Sequence, residues 1–166
     1  MTADLFADLL RRERKAIRRE AELHAVRRRP LPEGPFDVLY CDPPWAFKTY
    51  SPLGLRKSPE VHYETLTPDE LASLPVGRLA ADDAVLFLWV PGAHLEQALT
   101  VIRAWGFAYK SQIVWAQSHV GTGYWCRSTH KNLLIATRGL PRAPQPADRP
   151  RSVIEGEAYG YSAKPA

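Results

Sequence analysis

Short apolar runs alternate along the chain with segments that have helical spacing. The segment at about 93–105 repeats apolar residues at helical intervals, and Gly106 follows its end as a helix-terminating glycine would. Alternation of strands with such helices favours an α/β layered sheet with helices on its faces. The runs that predict strands are Phe36–Cys41, Ala84–Val90, Phe107–Trp115, Leu133–Thr137 and, more weakly, Val153–Ile154.

The first of these strands, Phe36–Cys41, is almost entirely apolar. Such a composition is typical of a strand that lies inside a parallel sheet, with both faces covered. A short helix begins near Thr67, where threonine at the N-cap, proline at the first helical position and Glu70 at the third form a capping box. Leu71 and Leu74 are expected to face inward from that helix.

Residues 3–28 predict one helix with a thin apolar stripe, which ends before a proline-rich segment at 29–35. The chain therefore divides into a basic N-terminal helix over 1–29 and a domain over 36–166. The basic helix can neutralise phosphates of a nucleic acid, or it can be a solvated helix with internal ion pairs. Its basic residues are Arg11, Arg12, Arg14, Lys15, Arg18, Arg19, Arg27, Arg28 and Arg29.

Composition narrows the function classes. The 166 residues are 45% hydrophobic and 24% charged, with a net charge of +4, which is an ordinary globular mixture. Two cysteines, Cys41 and Cys126, cannot form a disulfide framework, and free thiols in a reducing cytoplasm fit better. No apolar run is long enough to cross a bilayer, and no signal peptide is recognisable.

The sequence Asp42-Pro43-Pro44-Trp45 follows the first strand directly and is the main candidate for chemistry. Ligands of open α/β sheets bind at the carboxyl ends of strands. The two prolines stiffen the turn, so that its carbonyls are expected to point outward as fixed acceptors. A carboxylate and a carbonyl can together accept both hydrogens of a planar amino group, while Trp45 can stack on a base. The simpler reading is a turn with a packed tryptophan.

Two loops flank further candidates. Residues 46–66 have no periodicity, and a loop of this length in a compact domain is usually functional or mobile. The polar loop at 117–130 contains Trp125 and Arg127, which can contact a base and a phosphate, respectively. The plainer alternative places Trp125 in the core and Arg127 on the surface.

From residue 36 onward the sequence resembles the MT-A70 family of S-adenosylmethionine-dependent adenine-N6 methyltransferases, most closely its bacterial and phage members. The resemblance rests on motifs that occur in the family's order. They are Asp42-Pro43-Pro44-Trp45, His62-Tyr63-Glu64-Thr65-Leu66-Thr67-Pro68-Asp69-Glu70-Leu71, Leu86-Phe87-Leu88-Trp89-Val90, Ile113-Val114-Trp115, Gly121-Thr122-Gly123-Tyr124-Trp125-Cys126-Arg127, Leu133-Leu134-Ile135-Ala136-Thr137-Arg138-Gly139 and Ser162-Ala163-Lys164-Pro165.

The resemblance implies a Rossmann-like methyltransferase sheet with flanking helices. In such a domain Asp42 and the turn of Pro43 and Pro44 hold the target amine, and Trp45 lines the base pocket. Tyr63 matches a tyrosine that contacts the adenosine near the methyl donor. Lys164 matches a lysine near the cofactor and the target. Without the resemblance, Tyr63 reads as a packed loop aromatic and Lys164 as a solvent-exposed terminal lysine.

Three departures from the family pattern qualify this expectation. Lys131 occupies the position of a family glutamate, and Tyr161 that of a common histidine. The chain also stops at Ala166, before the family's later helix and strand, which carry most contacts to S-adenosylmethionine. The resemblance therefore predicts a sheet that is incomplete at the C-terminus, and weak or absent binding of the cofactor.

The leading functional hypothesis is an adenine-N6 methyltransferase that acts on DNA, with RNA second. The alternative is a non-catalytic subunit of MT-A70 type, which binds nucleic acid or a catalytic partner. The candidate protein partners are a second copy of the chain, as a homodimer, or a related methyltransferase-like subunit. A hydrolase is the weakest class, because the histidines and cysteines lack metal-ligand spacing and no serine elbow is present.

Overall fold

The structure is a computed structural model. It describes residues 8, 11–13, 15–16, 30–47, 59, 63–121, 123, 125–156 and 164. The chain forms two compact units. One unit consists of residues 1–31 with 44–70, and the other consists of residues 32–43 with 71–166.

The larger unit contains a mixed β-sheet in which the strand order is β1-β2-β4-β3-β5 among the described residues. β1 is parallel to β2, β4 is antiparallel to both β2 and β3, and β5 is parallel to β3. Each strand coincides with a predicted apolar run, so the predicted α/β sheet is confirmed. The strands are β1 (Phe36–Cys41), β2 (Ala80–Val90), β3 (Ala108–Ala116), β4 (His130–Arg138) and β5 (Val153–Glu155).

The first strand does not lie inside the sheet that the described residues form, contrary to what its composition predicted. Among the described strands β1 pairs only with β2, so it forms one edge. Leu39 is buried, whereas Val38 and Tyr40 are 59% and 60% exposed. An apolar composition shows that both faces of a strand can be covered. It does not show which strands pair with it along its two edges.

Helices accompany the sheet. They include α1 (Pro68–Ser73) and α2 (Leu95–Ala104), and 3-10 turns lie at Val76–Arg78, Gly92–His94 and Pro146–Asp148. α2 ends in a Schellman motif: the Phe107 N–H donates to the Ile102 carbonyl at 3.0 Å, and Gly106 has φ +83°. The predicted helix and its terminating glycine are therefore confirmed.

Buried residues of α2 and of the strands form the core of the larger unit. The sheet contributes large aliphatic side chains at alternating positions, as expected for strands with one face against helices. Trp105, just after α2, donates its indole N–H to the Leu71 carbonyl at 2.9 Å. Fully or almost fully buried residues include Leu71, Leu86, Leu88, Val90, Ala98, Val101, Ile102, Trp115 and Leu134.

The capping box of α1 forms as predicted. The Thr67 backbone N–H donates to Glu70 Oε2 at 2.8 Å, and the Glu70 N–H donates to Thr67 Oγ1 at 3.3 Å. Leu71 is buried as expected, while Leu74 is only half-buried.

The predicted N-terminal helix is described only in part. Residues 8, 11–13 and 15–16 are helical, and Arg12 pairs with Asp8 at 2.8 Å. The remaining residues of the predicted helix, including six of its nine basic residues, lie outside the described residues. Within the described part of the chain, no helix is both long enough and apolar enough to cross a membrane.

Candidate active site

The strand register brings the ends of four strands to one edge of the sheet. Cys41, the last residue of β1, lies opposite Leu88 of β2. Trp115, near the end of β3, lies opposite Lys131, near the start of the antiparallel β4. Asp42 follows β1 immediately and therefore stands at the carboxyl edge of the parallel pair, where ligands of α/β sheets bind.

Asp42 is fixed by an ammonium group at this edge. Lys164 Nζ donates to Asp42 Oδ2 in a charge-assisted hydrogen bond. The Lys164 side chain is 11% exposed, while that of Asp42 is 40% exposed. The reading of Lys164 as a solvent-exposed terminal lysine is thus wrong. The structure brings together two residues that are 122 positions apart in the sequence.

An aromatic floor formed by Tyr40, Trp89 and Trp115 lies beside this ion pair. The Trp89 indole N–H donates to the Tyr40 hydroxyl at 2.6 Å, and the Trp89 and Trp115 rings meet edge to face at 5.9 Å. Lys164 Nζ lies 5.6 Å from the centre of the Trp89 ring, and Lys131 Nζ lies 5.8 Å from that of Trp115.

Sequence reasoning did not assign these three aromatic residues to the site. Each lies near the carboxyl end of a predicted strand, and this position is a signal that favours a place in the site. The signal could not be read without the strand order, because β4 inserts between β2 and β3.

The turn after Asp42 differs from its expected form. The Leu66 N–H donates to the Pro44 carbonyl at 2.7 Å, so this carbonyl is engaged within its own compact unit. The prediction of outward-pointing carbonyls is therefore wrong for Pro44. Among the described residues, the Pro43 carbonyl has no hydrogen-bond donor.

Trp45 and Tyr63 both belong to the smaller unit. Trp45 is 3% exposed and forms a parallel bridge with Leu66. Its ring must become exposed before a base can stack on it, so its predicted role requires movement. Tyr63 is half-buried, and its N–H donates to the Pro59 carbonyl at 3.1 Å. The roles of both residues stay predictions.

The loop between β3 and β4 displays Trp125, which is 95% exposed. The alternative that placed Trp125 in the core is wrong. Two backbone bonds close the loop, from Gly121 to Ser128 and from Gln117 to Thr129, each 2.8 Å long. The exposed Arg127 donates its Nε–H to the Gly121 carbonyl at 3.3 Å, which leaves its terminal nitrogens for a ligand.

Cys41 borders the site and has a chemically testable environment. Burial raises the pKa of its thiol to about 11. Because the thiolate is the reactive form, we expect alkylation at pH 8 to be about 100-fold slower than for a thiol with the ordinary pKa of 9.0. Iodoacetamide labelling of a Cys126→Ser variant across pH 7–11.5 measures this directly. The same variant in denaturant provides the unshifted control, and equal rates in both states would contradict the burial argument.

The fold and this edge define an α/β protein with a carboxylate, two ammonium groups and an aromatic floor at the ends of its strands. The chain belongs to the MT-A70 family, whose family model matches residues 36–166. Its fold is consistent with the Rossmann-like sheet that the resemblance implied.

Relatives from several kingdoms show the same similarity. The chain is 27% identical to the type II methyltransferase M.MunI of Mycoplasma sp over 151 residues, which are 81% of this chain and 65% of that protein. It is 28% identical to an N(6)-adenosine-methyltransferase MT-A70-like protein of Arabidopsis thaliana, over 80% of this chain and 18% of the relative. It is 30% identical to the human N(6)-adenosine-methyltransferase catalytic subunit METTL3, over 66% and 18%, respectively. The chain thus spans under two thirds of each of these relatives.

Proposed function

We propose that the protein transfers a methyl group from S-adenosylmethionine to the N6 amine of adenine in nucleic acid. The observation that carries this proposal is the Asp42 carboxylate at the end of β1, oriented by Lys164 and still 40% exposed. Lys164 engages Oδ2, while Oδ1 has no hydrogen-bond partner among the described residues. Oδ1 can therefore accept a hydrogen from an entering amine.

The chemistry requires such an acceptor. The lone pair of an aromatic amine is delocalised into its ring, which makes the nitrogen a poor nucleophile. Hydrogen bonds that accept its two hydrogens favour a tetrahedral nitrogen and stabilise the positive charge that develops on it. In this proposal Asp42 Oδ1 accepts one hydrogen and the Pro43 carbonyl accepts the other.

The charges of two described residues match two groups of the methyl donor, its carboxylate and its cationic centre. An ammonium from Lys164 suits a carboxylate, and the Asp42 carboxylate suits a cationic centre. When bound, S-adenosylmethionine supplies the electrophilic methyl group. Asp42, Tyr63 and Lys164 are the residues that we propose to contact it. Among the described residues, no group of three or more His, Cys, Asp or Glu side chains is arranged to hold a metal ion.

DNA is the proposed substrate, with RNA second, and the cytoplasm is the proposed compartment. The resemblance to bacterial and phage members supports DNA, and the match to M.MunI spans the largest share of any relative reported above. The exposed Trp125 and Arg127 support contact with an unpaired base and its phosphate. The basic residues of the proposed N-terminal helix, 1–29, would add salt-sensitive affinity to the domain at 36–166.

A second candidate is a non-catalytic subunit that binds nucleic acid or a related methyltransferase-like chain. Lys131 favours it, because a cation stands where the family has a carboxylate. Both candidates predict binding to nucleic acid, but only the first predicts chemistry.

Transfer of a radiolabelled methyl group separates the two candidates. Single-stranded DNA and RNA of one sequence are each incubated with the protein and millimolar labelled donor, so that weak donor binding does not limit the reaction. We expect incorporation into both strands and a higher rate for DNA. Salt-sensitive binding of either strand without any incorporation would contradict catalysis and support the second candidate. A higher rate for RNA would contradict the DNA preference alone.

A further inference from the structure

Lys131 places a second cation beside Asp42 and Lys164. It lies on β4 directly opposite Trp115, whose side chain is fully buried. Its Nζ is 5.8 Å from the centre of the Trp115 ring, and the residue is half-buried. Its ammonium group is thus held against the aromatic floor rather than extended into solvent.

The charges of this cluster do not cancel. Lys164 pairs with Asp42, whereas Lys131 has no ion-pair partner among the described residues. Burial lowers the pKa of Lys131, the charge of Lys164 lowers it further, and the charge of Asp42 partly opposes both. With both lysines protonated, the three groups Asp42, Lys131 and Lys164 together carry one net positive charge in a partly desolvated position.

The donors of Lys131 are also unused. An ammonium group has three N–H donors, and a contact with a ring face satisfies none of them in the directional sense of a hydrogen bond. The Lys131 ammonium makes no hydrogen bond to another described residue. A negatively charged oxygen at this position would supply both the missing charge and the missing acceptor.

We propose that Lys131 binds an oxyanion of the ligand that occupies the site. The shared chemistry is a phosphate or carboxylate oxygen. The phosphate of the nucleotide that carries the target base is one source, and the carboxylate of the methyl donor is the other. This inference rests on the proposed function, because it assigns a further contact to the same ligands.

Calorimetry with four compounds tests the proposal and separates the sources. Adenosine 5′-monophosphate is compared with adenosine, and S-adenosylmethionine with its decarboxylated form. The proteins are the natural chain, Lys131→Met, Lys131→Arg, and Lys110→Met as a control for loss of an exposed lysine from β3. We expect the natural chain to bind one oxyanion-bearing compound about tenfold more tightly than its partner compound. That preference should vanish in Lys131→Met and persist in Lys131→Arg and Lys110→Met.

The pair of compounds whose difference in affinity is lost in Lys131→Met identifies the source of the oxyanion. A preference that survives in Lys131→Met, or no preference in the natural chain, would overturn the proposal, as would no binding of any compound. Inosine, which lacks the N6 amine, distinguishes this failure from failure of the proposed function. Equal affinity for adenosine and inosine would contradict amine recognition while the dependence on Lys131 remained measurable.

Discussion

Replacement of Asp42 by asparagine is expected to lower the rate of methyl transfer about 100-fold or more, in the range known for loss of one preorganised electrostatic contact. The amide keeps the size of the carboxylate but removes its negative charge. It also leaves Lys164 without its anionic partner at the strand end. The rate of label incorporation at saturating nucleic acid and donor measures the effect.

Asp37→Asn is the matched control for this substitution. Asp37 lies on β1, the strand that Asp42 follows, is exposed, and precedes Asp42 by five residues. The Asp37→Asn substitution removes the same charge and should change the rate of methyl transfer less than about twofold, since surface substitutions away from special features have small effects. Circular dichroism of both variants verifies the fold. Equal losses in the two variants would contradict a specific role for Asp42.

Replacement of Trp115 by alanine is expected to lower the free energy of unfolding by about 3–5 kcal/mol, the usual cost of truncating a buried aromatic residue. Trp115 is fully buried and packs with Trp89, Leu133 and Ile113. Its indole N–H donates to the Gly156 carbonyl at 2.9 Å, a bond that alanine cannot make. Urea denaturation followed by circular dichroism measures the change.

Trp125→Ala is the control that removes the same side chain from an exposed position. Because Trp125 is 95% exposed, its loss should change the free energy of unfolding by less than about 0.5 kcal/mol. If Trp125 stacks on a base, the same variant should weaken binding of single-stranded nucleic acid by about 1–3 kcal/mol. A loss for Trp115→Ala as small as that expected for Trp125→Ala would contradict the burial of Trp115 in the aromatic floor.

Local patterns predicted the elements of this fold well. The capping box at Thr67 and the terminating Gly106 depend on hydrogen bonds between residues a few positions apart, so the sequence determines them directly. The bounds of β1 agree with the prediction for the same reason. The edge position of β1 among the described strands depends on which distant strands pair, and apolar composition carries no such information.

The same distinction applies to the site. Asp42 was predictable, because it belongs to a motif that directly follows a strand. Its contact with Lys164 was not predictable from charge and position alone, since Lys164 reads as a solvent-exposed terminal lysine until the fold brings it to Asp42. Trp89 and Trp115 come together only because β4 lies between their strands. Leu133 of β4 lies opposite Trp89, and Lys131 of β4 lies opposite Trp115. Sequence spacing does not report that juxtaposition.

Lys131 shows how a departure from a family pattern acquires physical meaning. As a sequence difference it only raised doubt about substrate binding. In the structure it adds a cation beside Asp42 and Lys164, with the aromatic residue Trp115 beneath it. A doubt about activity thereby becomes a specific expectation about the charge of the ligand.

Recognition of the adenine amine by Asp42 determines which nucleoside receives the methyl group. A single-stranded oligonucleotide with one adenine is incubated with the protein and labelled donor, then digested to nucleosides and separated by chromatography. We expect the label to elute as the nucleoside of N6-methyladenine, and a twin oligonucleotide with hypoxanthine in place of adenine to take up none. Label on another nucleoside, or equal label in the twin, would contradict recognition of the adenine amine by Asp42.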